Sequence, residues 1–210
     1  SRGPDASGIW EDHRIGLALA HRRLSILELS PAGSQPMVSP CGRYVVVYNG
    51  EIYNHLEIRA ELNDEGGASS WRGHSDTETL LTGLRHWGIE KCLQKLVGMF
   101  AFALWDKEEQ NLYLARDRMG EKPLYYGRSG DAFLFGSELK ALAAHPAWRG
   151  QVDRDAIASF LRYSYVPAPW SIYKGIFKLP PAHFLVIRDG GHTIGDPHCY
   201  WNLHEIAVNG

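Results

Sequence analysis

The sequence predicts an α+β fold built in packed layers, on three observations. Short apolar segments bounded by Gly, Asp or Ser recur along the chain, as the strands of antiparallel hairpins do. Helix signals are fewer, and they fall between groups of strand segments instead of alternating with single strands. No repeat and no low-complexity segment interrupts that order.

Taken along the chain, "RIGLALAHRRLSILEL" and "YVVVY" are the first strand segments, and "MFAFALWD", "NLYLARD", "PLYYGRS" and "AFLFGS" form a second group, with "HFLVIRD" last. "DKEEQN" and "GRSGD" read as hairpin loops within the second group. Asn49-Gly50 between apolar runs would ordinarily signal a hairpin. Here Asn54 and Glu57 have capping-box spacing and Ile58 and Leu62 lie four apart, so Asn49-Gly50-Glu51 is expected at a strand-to-helix turn. Ser75 with Glu78 makes a second capping box before Leu80, Leu81 and Leu84, and Gly88 stops or breaks that helix ahead of Cys92 and Leu96. Ser137 opens "ELKALAA" and Asp153 opens "RDAIASFLRY". The prolines of "VPAPWSIYKGIFKLPP" predict an extended loop without regular structure.

At 210 residues the chain suits one large or two small domains. A formal charge of −2 without a basic block argues against a nucleic-acid or membrane surface, and the apolar runs are too short to span a bilayer. Three widely spaced cysteines, Cys41, Cys92 and Cys199, fit a reducing cytoplasm better than a disulfide framework. None has a neighbour that would plainly activate it, so burial is expected for all three. "SRGPDASGIW" starts without methionine and "WNLHEIAVNG" shows no clear terminal element, so an excerpt of a longer protein is expected.

Four polar clusters stand at the ends of these elements: Arg2-Gly3-Pro4-Asp5, Arg23 in "HRRLSI", Asn49-Gly50-Glu51, and His74-Ser75-Asp76. An arginine, two carboxylates and an amide beside a glycine are the groups a pocket for a free amino acid needs. Arginine grips an α-carboxylate with two parallel donors, a carboxylate takes the α-ammonium, and an amide N–H with a backbone N–H can hold an oxyanion. Plainer explanations stand beside this one: Asp76 favours a helix dipole, Arg23 makes a surface ion pair, and Glu51 is solvated. Zinc chemistry finds no i, i+4 histidine pair on a helix, and His192, His198 and Cys199 lie in a strand-turn region. No phosphate-loop motif occurs.

The motifs "RGPD", "HRRLSI", "NGEIYN", "HSDTE", "GMFAFALWD", "ARDRMGEKPLYY", "GSELKAL", "KLPPAHFL" and "YWNL" follow one another over nearly the whole chain. The series resembles the glutamine amidotransferase domain of glutamine-hydrolysing asparagine synthetases. That resemblance implies a four-layer αββα N-terminal-nucleophile hydrolase fold, two antiparallel sheets stacked between helices. Residues 1–195 would be the amidotransferase domain without its N-terminal strand and nucleophile, and residues 196–210 the start of a linker to an ATP-dependent synthetase domain.

By the same resemblance, the Asn49 side-chain amide and the Gly50 backbone N–H form the oxyanion hole for the glutamine side-chain carbonyl, the glycine letting substrate approach the backbone. Arg23 holds the substrate carboxylate, the backbone of Leu24, Ser25, Ile26 and Leu27 lines the pocket, and Glu51 and Asp76 hold the ammonium. The family nucleophile is an N-terminal cysteine upstream of "RGPD". Ser1 belongs to an interior loop, and Cys41, Cys92 and Cys199 match no catalytic position. The chain by itself is therefore expected to be inactive, while the intact protein would be a carbon–nitrogen ligase. No metal or cofactor is expected on this chain, with ATP and Mg confined to the synthetase domain. The implied partners are glutamine and that domain in cis, a homodimer being compatible. Two other readings stay open: a scaffold without nucleophile, as in β-lactam synthetases, and an amidotransferase for another acceptor.

Overall fold

The computed structural model describes residues 3–24, 28, 30–68 and 70–209. Two strands open the fold, β1 (Ala6–Asp12) and β2 (Leu17–Arg23), followed by β3 (Met37–Val38) and β4 (Tyr44–Ile52). Three helices come next: α1 (His55–Asp64), α2 (Asp76–Trp87) and α3 (Ile89–Lys95). The strands β5 (Gly98–Asp106), β6 (Asn111–Arg116), β7 (Tyr125–Ser129) and β8 (Ala132–Gly136) precede helices α4 (Leu139–Ala143) and α5 (Arg154–Tyr163). The chain closes with β9 (Ile176–Lys178), β10 (His183–Arg188), β11 (Thr193–Ile194), β12 (His198–Cys199) and helix α6 (Leu203–Asn209).

The central sheet is antiparallel, in the order β11-β10-β6-β5-β4-β3, with β12 on the other half of β10's edge. Its spine is the nine-residue pairing of β4 with β5, from Tyr44 opposite Asp106 to Ile52 opposite Gly98. Successive side chains of a strand point to opposite faces, and here both faces are apolar. Val46, Tyr48, Phe100, Phe102 and Leu104 face the helices and meet Ile58, Leu62, Leu80, Leu84 and Leu93. Val45, Val47, Ala101, Ala103 and Trp105 face the opposite way and meet Leu19, Leu124, Tyr126 and Leu179. This second layer is strand too, in two pieces, β1-β2 and β8-β7-β9. Beyond β8 and β9, Leu142 and Leu139 of α4 pack with Trp148 against Leu134 and Ile176 as an outer layer. The order of layers is helix, sheet, sheet, helix, as the resemblance implies.

Several expectations need correction. Asn49-Gly50-Glu51 lies inside β4, and two residues separate that strand from α1. Asn54 does not cap α1 with its side chain, which instead donates to Lys95 O (3.0 Å) and accepts from Val97 N (3.0 Å), tying the helix start to the α3–β5 connection. The Ser75 cap forms, with Ser75 Oγ accepting from Glu78 N at 3.2 Å. Glu78 does not complete the box. Its carboxylate accepts from Arg72 N and Gly73 N and pairs with Arg59, because that buried group has nearer donors in the preceding loop. Ser137 gives way to Glu138 as the capping position of α4. The first strand segment ends at Arg23, and the proline-rich loop contains β9, which pairs with β7. The mostly exposed β1, carrying Gly and two carboxylates, has little strand signal of its own. At the C-terminus α6 does form, with Leu203 and Ile206 one turn apart. Because β12 pairs with β10 and Tyr200 is buried, the packed unit runs past residue 195. Cys92 is buried, but Cys41 and Cys199 are exposed at the loop and edge-strand positions where the chain leaves the core.

The turn after β6 is organised by one carboxylate. Asp117 is fully buried and accepts from the backbone N–H groups of Phe100, Met119, Glu121 and Lys122, at 2.9 to 3.2 Å. Its own carbonyl accepts from Ala182 N, so one residue joins β5, the 118–122 turn and the approach to β10. Replacing a multiply bonded buried anion by an amide leaves N–H facing N–H. Asp117→Asn is expected to cost about 1–3 kcal/mol, the range for a buried donor left without its acceptor, read as a lowered urea midpoint with unchanged slope.

Candidate active site

One cavity of about 1220 Å³ opens between the central sheet and the two-piece second layer, and it gathers Arg23, Leu24, Asn49, Gly50, Glu51 and Asp76. These residues come from the end of β2 and the residue after it, from β4 and from the first turn of α2. Ser25, Ile26 and Leu27 lie outside the described residues, as does Arg2 of the first cluster, whose Gly3 and Pro4 line the cavity.

Arg23, Asp76 and Asn49 each have hydrogen-bond partners. The Arg23 guanidinium, largely buried, donates to Ser30 O at 3.2 Å and to Glu28 O, leaving further N–H donors for a ligand. Asp76 is buried at the first residue of α2, where its Oδ2 accepts from Tyr48 OH at 2.7 Å and Ile52 N at 3.1 Å and its Oδ1 from Thr77 N at 2.8 Å. Burial pushes the Tyr48 hydroxyl well above its usual pKa, and the adjacent Asp76 charge adds to the shift, so the phenol stays a donor. Asp76 therefore serves more than the helix dipole: it clamps α2 to β4 at both ends of the Asn49–Glu51 stretch. The plainer explanation for Arg23, a surface ion pair, fails on its burial and on its carbonyl partners.

Asn49 Nδ2 donates to Ser137 Oγ across a long 3.4 Å contact, so the amide reaches from the central sheet to the end of β8. The glycine after it has a structural cause. A Cβ on Gly50 would fall within 3 Å of Met99 O and Phe100 Cα, because β5 passes directly beside it, and Gly98 is bound in the same way by Glu51 O and Ile52 Cα. Glycine on each strand thus leaves room for the backbone of the other beside Asn49 and Glu51.

Three contributors escaped the sequence reading. Tyr48 holds Asp76. Gln35 accepts from Tyr48 N at 2.6 Å, bringing a loop residue against β4. Glu28 binds the amides of Ser30 and His74, each at 2.9 Å, and hydrogen bonds from Ser30 and His74 hold its carboxyl down at about 2. No sequence spacing connects Glu28 to His74, which is why pattern alone could not find it.

The cavity also extends beyond the polar end. Among the described residues, β2 and β8 are each unpaired along one edge, and both line the cavity, over a floor that includes Val47, Ala101, Ala103 and Ile187. Among the described residues, His21 Nδ1 and Trp105 Nε1 are buried there without a hydrogen-bond partner, and burial lowers the His21 pKa. The slot is thus apolar underneath and flanked by two free strand edges.

Known proteins bear on this site. The sequence profile of the family described as "Glutamine amidotransferase domain" matches residues 1–201. Asparagine synthetase [glutamine-hydrolyzing] 3 of Bacillus subtilis is 39% identical over 97% of this chain and 32% of its own length. A putative asparagine synthetase [glutamine-hydrolyzing] 2 of Methanocaldococcus jannaschii is 34% identical over 97% of this chain and 42% of its own length, and amidase chry2 of Gibberella zeae is 36% identical over 96% and 29%. The chain thus spans about a third of the length of the curated relatives it matches. Among solved structures, the glutamine phosphoribosylpyrophosphate amidotransferase of B. subtilis superposes with a TM-score of 0.61 at 20% identity, over 88% of this chain and 35% of that one, a likeness of fold. Profile, relatives and layer order agree: the chain belongs to the glutamine amidotransferase domain family.

Proposed function

We propose that this chain is the glutamine-hydrolysing part of a synthetase of the asparagine type, and that it releases ammonia from glutamine for amidation of aspartate elsewhere in a longer protein. The observation that carries this reading is the convergence of Arg23, Asn49, Gly50, Glu51 and Asp76 on one cavity from three separate elements. Arg23 grips the α-carboxylate with the donors its loop carbonyls leave over. Glu51 and Asp76 receive the α-ammonium, and the Asn49 amide with the Gly50 N–H receives the oxyanion that develops on the side-chain carbonyl.

The reaction also needs a nucleophile. A strand upstream of Ser1, seated in the slot between β2 and β8, would pair with both free edges, cover the apolar floor and bring an N-terminal cysteine toward Asn49. The thiolate adds to the glutamine amide carbon, ammonia leaves once the amide nitrogen is protonated, and water hydrolyses the glutamyl thioester to glutamate and free thiol. ATP and Mg act in the synthetase domain, outside this chain. The retained pocket disfavours the scaffold reading, since a scaffold has no use for a buried arginine and a clamped carboxylate lining one cavity. Aspartate as acceptor rests on the names of the synthetase relatives.

Two outcomes test this. The chain by itself should release no glutamate from glutamine, and joining an upstream strand that begins with cysteine should restore release; glutamate production by the unextended chain that disappears on changing Ser1 would defeat the assignment. In the complete enzyme, Asn49→Ala removes a donor to a charge present only as the tetrahedral intermediate forms, so kcat with glutamine should fall on the order of 10²–10³ while KM changes little. Product formation from added ammonia should stay near wild type. Parallel loss with both nitrogen sources would make Asn49 a structural residue.

A further inference from the structure

We infer that Glu28 is a positioning residue that sets the distance between the carboxylate-binding and ammonium-binding ends of the pocket; the inference rests on the glutamine reading above. Its backbone carbonyl accepts from Arg23 Nη2. Its side-chain Oε1 accepts from Ser30 N and its Oε2 from His74 N, both at 2.9 Å. His74 lies two residues before Asp76, in the loop that leads into α2. One residue therefore connects the arginine at one end of the pocket with the carboxylate at the other, through its main chain on one side and its side chain on the other.

Two glycines show that the connection is built into the fold. A Cβ on Gly73 would stand 2.6 Å from Glu28 Oε2, and one on Gly33 would stand 2.9 Å from Glu28 Cγ. Neither glycine has a positive φ, so backbone freedom does not account for them. Space for the Glu28 side chain does. The far side of the connection is rigid as well: Arg59 donates to Gly73 O and Ser75 O, each at 2.9 Å, and Glu78 binds Gly73 N at 3.1 Å. Glu28 docks onto a loop that other partners already hold, so loss of the docking would release the Arg23 side and leave the Asp76 side in place.

An amino acid that bridges both ends senses this spacing, whereas a ligand that uses one end does not. Glutamine bears both end groups, 4-aminobutanamide lacks the carboxylate, and glutaramic acid lacks the ammonium. In Glu28→Gln the side chain keeps its length but presents one N–H group to a backbone N–H, which breaks one of the two contacts.

The experiment compares wild type with Glu28→Gln and Glu28→Asp by ligand-observed NMR titration of the three compounds, with hydrogen exchange of backbone amides as an independent reading of the docking. Glu28→Gln should weaken L-glutamine binding on the order of tenfold, and change binding of each one-ended compound less than about twofold. Glu28→Asp, which is a methylene too short, should not rescue. Equal weakening of all three compounds would mean that Glu28 only keeps the loop folded, and would overturn the inference. So would unchanged exchange of the His74 amide in Glu28→Gln. If wild type binds no L-glutamine, the glutamine reading fails, while the His74 amide still decides whether Glu28 docks.

Discussion

The pairing of β4 with β5 is the constraint on which the rest of the molecule depends. These strands form the middle of a sheet that is covered on both sides, by helices on one face and by a second strand layer on the other. Backbone amides in such a place have no access to water and must find partners in the ladder. Both rows of side chains must also be apolar, which is why "YVVVY" and "MFAFALW" read as continuous hydrophobic runs without alternation. Polar residues can enter only where the cover stops. Asn49, Gly50 and Glu51 stand at that margin, on the last turn of the pleat before β4 ends. The site is thus placed by the limits of the core: a rigid ladder brings its end to the mouth of a cavity.

Among the described residues, several buried charges are held by multiple hydrogen bonds. Asp117 binds four amides, Asp76 binds two amides and a phenol, and Arg116 donates to the carbonyls of Gly120, Lys122 and Leu179. Isolated buried charges are costly, and multiple hydrogen bonds are what make them tolerable. The choice of partners has a consequence for the site. Most of these groups bind main chain, so they fix loops whose own sequence carries little preference. The loops at 72–76 and 117–122 are shaped by carboxylates and guanidinium groups from outside or from their first residue.

This division explains what the sequence could and could not disclose. The strands from β4 to β8, the paired apolar residues of α1 and α2, and the caps at Ser75 and Asp153 follow from local pattern, and they form. Asn54 misled because an amide that can cap a helix can equally bind a distant loop, and only the fold decides between them. β9 was hidden among prolines that do not lie within the strand itself, and β1 among exposed polar residues. Residue types singled out Arg23, Asn49, Glu51 and Asp76, and these four line one cavity. Tyr48, Gln35 and Glu28 stayed invisible, since each acts through a partner far along the chain. Gly50 was legible as a necessary glycine, but its structural reason, the backbone of β5 alongside, belongs to a strand that the local sequence does not mention.

The same pairing orders events in time. Asp106 and Asn111 face each other across a single tight turn, so β5 and β6 can join as soon as both exist. Ile52 and Gly98 face each other across a span that contains all of α1, α2 and α3. Closing that span costs chain entropy that no local contact offsets, and parts of a chain joined by distant contacts assemble slowly. Helices α1, α2 and α3, packed on one another, shorten the distance that β4 must cross to reach β5. Asn49, Gly50 and Glu51 travel with β4, so the pocket depends on one of the distant pairings and not on the hairpin that local contacts can build.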